Sequence, residues 1–148
     1  MNRATQEEID KFFNWAVLDP EMYPYLTINK TIFKKEIPKD DWEGLMFISE
    51  CGKCFMHISF SRVRDIEFNV SIWSKSPLLA GRCLIVIKDL IKRYRPKYID
   101  SVCHSSNKRS LKLHKKIYGV QWGIEPNGAW NMGLGEYEDL YHFRLMIT

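Results

Sequence analysis

Apolar residues recur along this chain with two different periods, and the period changes near Pro77. In the stretch directly before that point apolar and polar residues alternate, as is typical of strands with one buried face. The alternation is clearest from Ile66 to Trp73, where one face carries Ile66, Phe68, Val70 and Ile72. From Pro77 to Tyr94 the apolar residues recur at helical spacing instead. The pattern therefore predicts strands followed by a long helix.

Two further helices are indicated by their start signals. Thr5 to Val17 carries an apolar face, and Thr5 with Glu8 three residues later forms a potential capping box. Asn107 to Tyr118 is predicted as the last helix, with Ser105 or Ser106 as its N-cap. Between the first helix and the strands, Pro20 to Asp41 has no clear period.

The strands complete a mixed α/β pattern. Glu125 to Gly135 is predicted as a loop because it is rich in Gly, Asn and Pro. Hairpin connections indicate antiparallel pairing in the first half, and a strand-helix-strand unit indicates a right-handed parallel crossover later. We expect one domain over residues 1–148, with a central mixed sheet and helices on both faces. The predicted strands are Leu45 to Cys51, Cys54 to Phe60, Ile66 to Trp73, Tyr98 to Cys103, Val120 to Ile124 and Asp139 to Ile147.

Composition narrows the function classes only slightly. Hydrophobic residues make up 45% of the 148 residues and charged residues 27%, as in ordinary globular proteins. The net charge of +4 suits an anionic small ligand and does not require nucleic acid. The polar start and the absence of a long apolar run indicate no secretion signal and no membrane partner, so we expect a cytoplasmic protein.

Two stretches are candidate sites for a phosphate-bearing ligand. The segment around Gly81 leads from a strand into a helix, where backbone N–H groups and the helix dipole favour anions. Ser76 to Arg82 is expected to supply this turn, with an ordinary strand-to-helix turn as the alternative. In the last helix Asn107, Ser110 and His114 share one face, with a solvated polar face as the alternative.

The four cysteines do not form a convincing metal or redox motif. Cys51 and Cys54 have the C-x-x-C spacing, but no second pair accompanies them and they flank a predicted hairpin. The sequence therefore predicts no metal site. The basic residues near the helix ends are explained more simply by their favourable interaction with the helix dipole, so nucleic acid is not an expected partner.

The order of elements, together with the run N-K-R-S-L-K-L-H-K-K-I-Y-G after a short strand, resembles the GNAT superfamily of N-acetyltransferases. The resemblance runs from Leu45 to the C-terminus, with Thr5 to Val17 as the first helix. A narrower similarity is to small GNAT-like proteins of short-tailed phages. The resemblance implies the cofactor acetyl-CoA, an amine acceptor, and direct transfer of the acetyl group.

Position by position, the resemblance also implies site residues. The backbone of Ile72 and Trp73 would hold the pantetheine arm, and Asn107 and Ser110 would contact the cofactor. The residues expected around the pyrophosphate are Leu79, Ala80, Gly81 and Arg82.

The catalytic roles follow from the same resemblance. Glu67 would be the general base, and His114 stands where the family has its Tyr general acid, with Tyr118 as a substitute. The family's Gly-rich loop corresponds here to Ser76 to Gly81, in which only the last Gly matches. The leading expectation is therefore an N-acetyltransferase. The alternative is a GNAT-like structural or interaction protein without catalysis, such as a phage virion or host-takeover component with a protein partner.

Overall fold

The computed structural model describes residues 1–31, 35–61, 66–119 and 121–147. Within these ranges the chain forms one seven-stranded sheet, three α-helices and one turn of 3-10 helix at Tyr23–Tyr25. The helices are α1 (Gln6–Ala16), α2 (Pro77–Tyr94) and α3 (Lys108–Tyr118). The strands are β1 (Asn2–Arg3), β2 (Leu45–Ile48), β3 (Cys54–Ser61), β4 (Glu67–Ser74), β5 (Tyr98–His104), β6 (Gln121–Asn131) and β7 (Glu136–Met146).

The sheet is mixed, as the sequence predicts. Its spatial order is β1-β2-β3-β4-β5-β7-β6. Neighbouring strands are antiparallel except β4 and β5, which are parallel and are joined by α2. The last strand, β7, lies between β5 and β6, so the final hairpin folds back into the sheet.

Helices cover both faces of the sheet, which confirms the predicted layering. On one face α1 packs through Ile9, Phe12 and Phe13 onto a cluster that includes Phe55 of β3. On the other face the buried side chains of α2 and α3 meet the strands in a second cluster. None of the helices in the described ranges combines the length and apolarity that crossing a membrane requires.

The helix ends follow the capping rules, with one correction. Thr5 caps α1 and forms the predicted capping box with Glu8. The expected cap of α3 at Ser105 or Ser106 is wrong, because the Asn107 side chain itself accepts the Ser110 N–H at 3.2 Å. Asn107 is thus the N-cap and α3 begins at Lys108.

The predicted loop from Glu125 to Gly135 is also wrong over most of its length. β6 continues to Asn131, and only the short turn before Glu136 interrupts the hairpin. A register shift between Glu125 and Ala129 accommodates the turn-forming residues inside the strand as a bulge. β6 is an edge strand, where a proline without an N–H is tolerated. In the predicted strand from Val120 to Ile124, the first residue, Val120, lies outside the described residues.

Two further differences concern the first forty-eight residues. β1 was not predicted; its two residues pair with Ile48 and Phe47 at the end of β2. In the region from Pro20 to Asp41 the structure has the Tyr23–Tyr25 turn and otherwise neither helix nor strand in its described part. Residues 32–34 lie outside the described residues.

Phe55 is the centre of the core under α1. Its side chain is fully buried. The ring centroids of Phe12 and Phe13 lie 5.5 Å from its own, and that of Trp73 lies 5.6 Å away in a stacked arrangement. Aromatic pairs at these separations add to the free energy of simple burial. Phe55 therefore joins α1 to the strands that carry the rest of the sheet.

Replacing Phe55 with Ala should lower the free energy of unfolding by about 3–5 kcal/mol, because it removes buried area and leaves a cavity. Chemical denaturation followed by circular dichroism measures the change. Leu134→Ala is the control: its side chain is 63% exposed, and a surface change should stay within about 0.5 kcal/mol. Equal losses in the two variants would contradict this account of the core.

His57 on β3 gives the fold a pH dependence. Burial, and to a smaller extent the charge of Lys35, lowers the pKa of His57 to about 4. In the unfolded chain a histidine takes up a proton below about pH 6.5. The unfolded state thus binds the extra proton between these values, and the free energy of unfolding should fall as the pH drops from about 6.5 to 4.

The variant His57→Gln should reduce the slope of stability against pH in that window, by at most about 1.4 kcal/mol per pH unit for one proton. Denaturation curves between pH 4 and 8 measure the slope for both proteins. A general loss of stability at every pH would leave the slope unchanged. An unchanged slope would show that His57 does not carry this dependence.

Candidate active site between β4 and β5

A cleft opens where β4 and β5 separate. The two strands pair over three positions, the last being Asn69 opposite Asp100. Beyond this point β4 stays paired with β3 to Ser74, whereas β5 stays paired with β7 to His104. The facing edges of β4 and β5 then have no strand between them, and their backbone groups are available to a ligand.

The cleft has a volume of about 1110 Å³. It is lined by the end of β4 and the connection to α2 (residues 71–77), by the end of β5 (residues 101–104), by most of α3, and by residues 20–22 and 24–29. Elements from both faces of the sheet thus reach the same gap. A cleft of this size is large enough for a cofactor with a long arm.

Five of the eight predicted cofactor residues line the cleft. Asn107 and Ser110 come from the first turn of α3, and the others are Ile72, Trp73 and Ala80. The lining does not include Leu79, Gly81 or Arg82.

The interpretation of Gly81 as a turn residue is wrong. α2 begins at Pro77, so Gly81 lies inside the helix, and a Cβ added there would meet nothing within 4 Å. The turn itself consists of Lys75 and Ser76. Pro77 has no N–H, and the Ser76 hydroxyl accepts the Leu79 N–H at 3.4 Å. This helix start therefore offers few free backbone donors to a phosphate.

Basic side chains stand along the cleft instead. Lys108, Lys112 and Lys116 recur every four residues on one face of α3 and all line the cleft. Arg109 and Lys75 add to them, although Lys75 pairs with Asp19 at 2.7 Å and Arg109 with Glu21 at 3.2 Å. In the sequence, the spacing of these three lysines could have indicated a binding surface, but the alternative interpretation of this helix treated its polar face as merely solvated. The arrangement provides a strip of positive charge for an anionic ligand.

His114 lies at the floor of the cleft in a fixed orientation. Its Nδ1 is 2.7 Å from the Ser110 carbonyl, which can only accept, so Nδ1 carries a proton. Its Nε2 is 2.9 Å from Ser101 Oγ, and the same hydroxyl is 2.9 Å from the Val70 carbonyl. Burial lowers the pKa of His114. The Ser101 hydroxyl thus has one proton and two acceptors when His114 is neutral.

Tyr118 completes this group. Its ring stacks on His114 with centroids 5.6 Å apart, and it is buried against Phe143. Burial raises the pKa of Tyr118 to about 12, against a smaller opposing effect of a hydrogen bond with Ser101. The Tyr118 hydroxyl therefore keeps its proton at physiological pH. The structure brings His114 and Tyr118 together in the cleft.

Glu67, predicted as the general base, lies elsewhere. It begins β4 and is paired with Tyr98, on the closed part of the sheet before the strands separate. Its side chain hydrogen-bonds to Tyr98, which raises the pKa of that tyrosine. Glu67 does not line the cleft. Its distance in sequence from the point of separation explains the displacement, because a strand advances about 3.3 Å per residue.

A second polar group at the cleft was not predicted. His104 ends β5, lines the cleft, and lies beside the buried carboxylate of Glu138 on β7. Ser106 links the two to the cleft surface. The two residues are far apart in sequence, and only the pairing of β5 with β7 brings them together. No spacing pattern could have indicated this pair.

The cysteines take separate positions. Cys54 faces Cys83 of α2 in the core, with 3.6 Å between the two sulfur atoms, whereas Cys51 is exposed. In the described ranges no three His, Cys, Asp or Glu side chains are grouped so that they could hold a metal ion.

Solved structures show the same architecture. RimL, an alpha-N-protein acetyltransferase of ribosomal L7/L12, matches with a TM-score of 0.73 at 10% identity, covering 98% of this chain and 88% of that one. The acetyltransferase of GNAT family from Streptococcus pneumoniae matches with 0.63 at 13% identity, covering 99% and 98%. The protein yncA of Salmonella typhimurium, solved with its cofactor acetyl-CoA, matches with 0.69 at 15% identity, covering 99% and 92%.

No protein-family model and no curated protein sequence matches the chain. At these low identities the structural likeness concerns the fold. The chain has the GNAT fold, as its element order predicts.

Proposed function

We propose that this chain is an acetyl-CoA-dependent N-acetyltransferase that transfers the acetyl group directly to an amine. The observation that carries the proposal is the cleft between β4 and β5, with unpaired strand edges on its walls, proton-bearing side chains at its floor and lysines along one side. Acetyl-CoA needs all three: hydrogen bonds for its amide-rich arm, a proton for its leaving thiolate, and cations for its phosphates.

The residues that line the cleft fit this cofactor, but its phosphates would contact lysines of α3 more than the start of α2, where the resemblance had placed them. The edge of β4 at Ile72 and Trp73 would hold the pantetheine arm. The capped start of α2 has few donors, so Lys112 and Lys116 would take a large share of the phosphate charge. When bound, acetyl-CoA supplies an activated thioester for attack by the amine.

The side chains at the floor of the cleft handle the proton of the leaving group. The Tyr118 hydroxyl keeps its proton at physiological pH and can give it to the leaving sulfur. A protonated His114 can release a proton from Nε2 towards Ser101. Proton-bearing groups positioned in this way contribute about 10²–10⁴-fold to such reactions.

The acceptor amine can belong to a small molecule or to a protein. Three of the structural neighbours are named for ribosomal proteins, so a peptide α-amine is a reasonable first substrate to assay. Residues 24–29 line the cleft and would help to shape the space for this amine. Origin in a phage and a cytoplasmic location remain expectations from the sequence.

A protein of this fold without catalysis is the second candidate. The specific observation in its favour is the start of α2, where Pro77 and the Ser76 cap leave few backbone donors for a pyrophosphate. Such a protein would use its surface for a structural or interaction role. Isothermal titration with acetyl-CoA separates the two candidates, since an acetyltransferase must bind it and the second candidate need not.

The double variant Lys112→Ala with Lys116→Ala should weaken acetyl-CoA binding about tenfold, which corresponds to about 1.4 kcal/mol. Binding should also weaken as salt rises, because exposed charges are screened. Titration calorimetry at two salt concentrations measures both effects. The charge-matched control is Lys92→Ala with Lys115→Ala, whose side chains are exposed and outside the cleft lining. An equal loss in both double variants would rule out a specific phosphate site on α3.

The variant Asn107→Asp tests the predicted cofactor contact without removing the helix cap. Asp keeps an oxygen for the Ser110 N–H and is favourable at a helix start, so the melting temperature should change little. It replaces the amide NH₂ with a charged oxygen, so acetyl-CoA affinity should fall several-fold. An unchanged affinity would exclude Asn107 as a cofactor contact and leave it as a cap.

A further inference from the structure

The gap between β4 and β5 has titratable groups on both faces of the sheet. Ser101 points towards α3, together with His114 and Tyr118. His104, three residues later on β5, points to the opposite face, towards residues 24–29. Transfer of an acyl group needs a proton donor at the leaving sulfur and a proton acceptor at the attacking amine. The group around His114 and Tyr118 fits the donor, which leaves the group around His104 to fit the acceptor.

The tautomer of His104 is fixed by its surroundings. Its Nε2 is 3.1 Å from the Thr27 carbonyl, which only accepts, so Nε2 carries the proton. The Nδ1 therefore presents a lone pair. It is buried and has no hydrogen-bond partner among the described residues. The carboxylate oxygen Oε1 of Glu138 lies 3.9 Å from this nitrogen.

Glu138 is held in its ionised form. It accepts the Ser106 N–H at 2.7 Å, the Ser106 hydroxyl at 2.9 Å, the Ser105 hydroxyl at 3.3 Å and the amide of Asn131. Burial alone would raise the pKa of Glu138, but these hydrogen bonds outweigh it and lower the pKa. A buried carboxylate thus faces a buried lone pair, and no proton lies between them.

The contact between His104 and Glu138 lacks a proton that could form a hydrogen bond. A proton on His104 Nδ1 would satisfy the unpaired nitrogen and convert the repulsive contact with Glu138 into an ion pair. The Ser106 hydroxyl, which touches Glu138 and lines the cleft, connects the pair to the space where a ligand can lie. Three other titratable groups surround the His104–Glu138 pair: Tyr25, Cys103 and Lys108. The ring of Tyr25 is 5.3 Å from that of His104.

We propose that Ser106, Glu138 and His104 form the proton-accepting relay for the acceptor amine, and this rests on the proposed acetyltransferase function. The amine nitrogen forms its bond to the acyl carbon with its electron pair and loses one proton to Ser106 Oγ. The Ser106 proton moves to Glu138, and Glu138 shares it with His104 Nδ1. The proton later returns to solvent, while the leaving thiolate takes its own proton from the opposite group. Ser106 is the contacting residue, and Glu138 and His104 are positioning residues.

The relay can be tested without knowing the natural acceptor. Nitrogen-15 NMR of the imidazole groups follows the protonation of His104 in the wild-type protein and in Glu138→Gln. We expect the proton to enter at Nδ1, and we expect the titration midpoint of His104 to move to lower pH in Glu138→Gln, because the stabilising carboxylate is gone. The control is Glu125→Gln, which alters the other His-Glu contact, His142 Nε2 to Glu125 Oε2 at 3.7 Å, outside the cleft. It should leave His104 unchanged.

The second measurement is the release of CoA thiol from acetyl-CoA in water between pH 5 and 9, with water as the acceptor. Glu138→Gln and Ser106→Ala should each slow it at least tenfold, and Glu138→Gln should also shift the acid limb of the pH profile. Acetyl-CoA affinity, measured by calorimetry, should be unchanged in both. The control Glu125→Gln should retain the wild-type rate and profile.

The two hypotheses fail in different ways. Absence of acetyl-CoA binding by the wild-type protein overturns the acetyltransferase proposal and the relay with it. Normal binding with an unchanged His104 midpoint in Glu138→Gln overturns the relay alone. Normal binding with an unchanged rate of CoA release in Glu138→Gln and Ser106→Ala also overturns the relay alone.

Discussion

Parallel pairing between β4 and β5 stops after three positions, and most of what this protein can do depends on that short ladder. Each of the two strands has a longer antiparallel partner on its other side: β4 pairs with β3 over eight positions, and β5 with β7 over seven. The twist of each antiparallel half then separates the strands beyond Asn69. The pairing of β7 with β5 therefore helps to open the cleft, and it also carries Glu138 to the edge of the cleft.

Charge in the cleft comes from side chains more than from the backbone. A helix start usually binds phosphate through its free N–H groups. At the start of α2 one of these is missing at Pro77 and another is taken by Ser76. The lysines of α3 place compensating charge on the opposite wall. Long, exposed side chains bind anions less rigidly than a helix start does and are screened by salt, so ligand binding here should depend on ionic strength more than it does at a backbone site.

The fold was accessible from the sequence where local signals agree with the final structure. The capping box at Thr5 and the apolar period of α2 predicted two helices correctly, and the alternation in β4 predicted the strand that forms one wall of the cleft. The prediction of a loop from Glu125 to Gly135 failed because Pro, Asn and Gly usually indicate a loop. In the structure these residues lie in β6, where pairing with β7 accommodates them as a bulge. A local rule was outweighed there by a tertiary contact.

The site was accessible only in part, for a related reason. Asn107, Ser110, His114 and Tyr118 share one helix, so their spacing alone places them together. Glu67 and Gly81 were assigned by analogy of position. Glu67 lies two residues before Asn69, where the strands separate, and Gly81 lies inside α2, four residues after its start at Pro77. His104 and Glu138 meet only because β5 and β7 pair, and no local pattern encodes that contact.

The position of the two titratable groups, one around His114 and one around His104, also constrains how the cleft can work. Ser101 and His104 project from the same strand to opposite faces of the sheet, so a ligand in the gap would have one group on either side. Each group contains a histidine whose protonated form would complete its hydrogen bonds, and burial lowers the pKa of both. Burial thus favours the neutral forms in the resting protein, while the local hydrogen bonds favour the charged forms once a proton arrives. A proton accepted on one face and a proton released on the other would leave the total charge of the cleft unchanged, which is the least costly arrangement in a poorly solvated site.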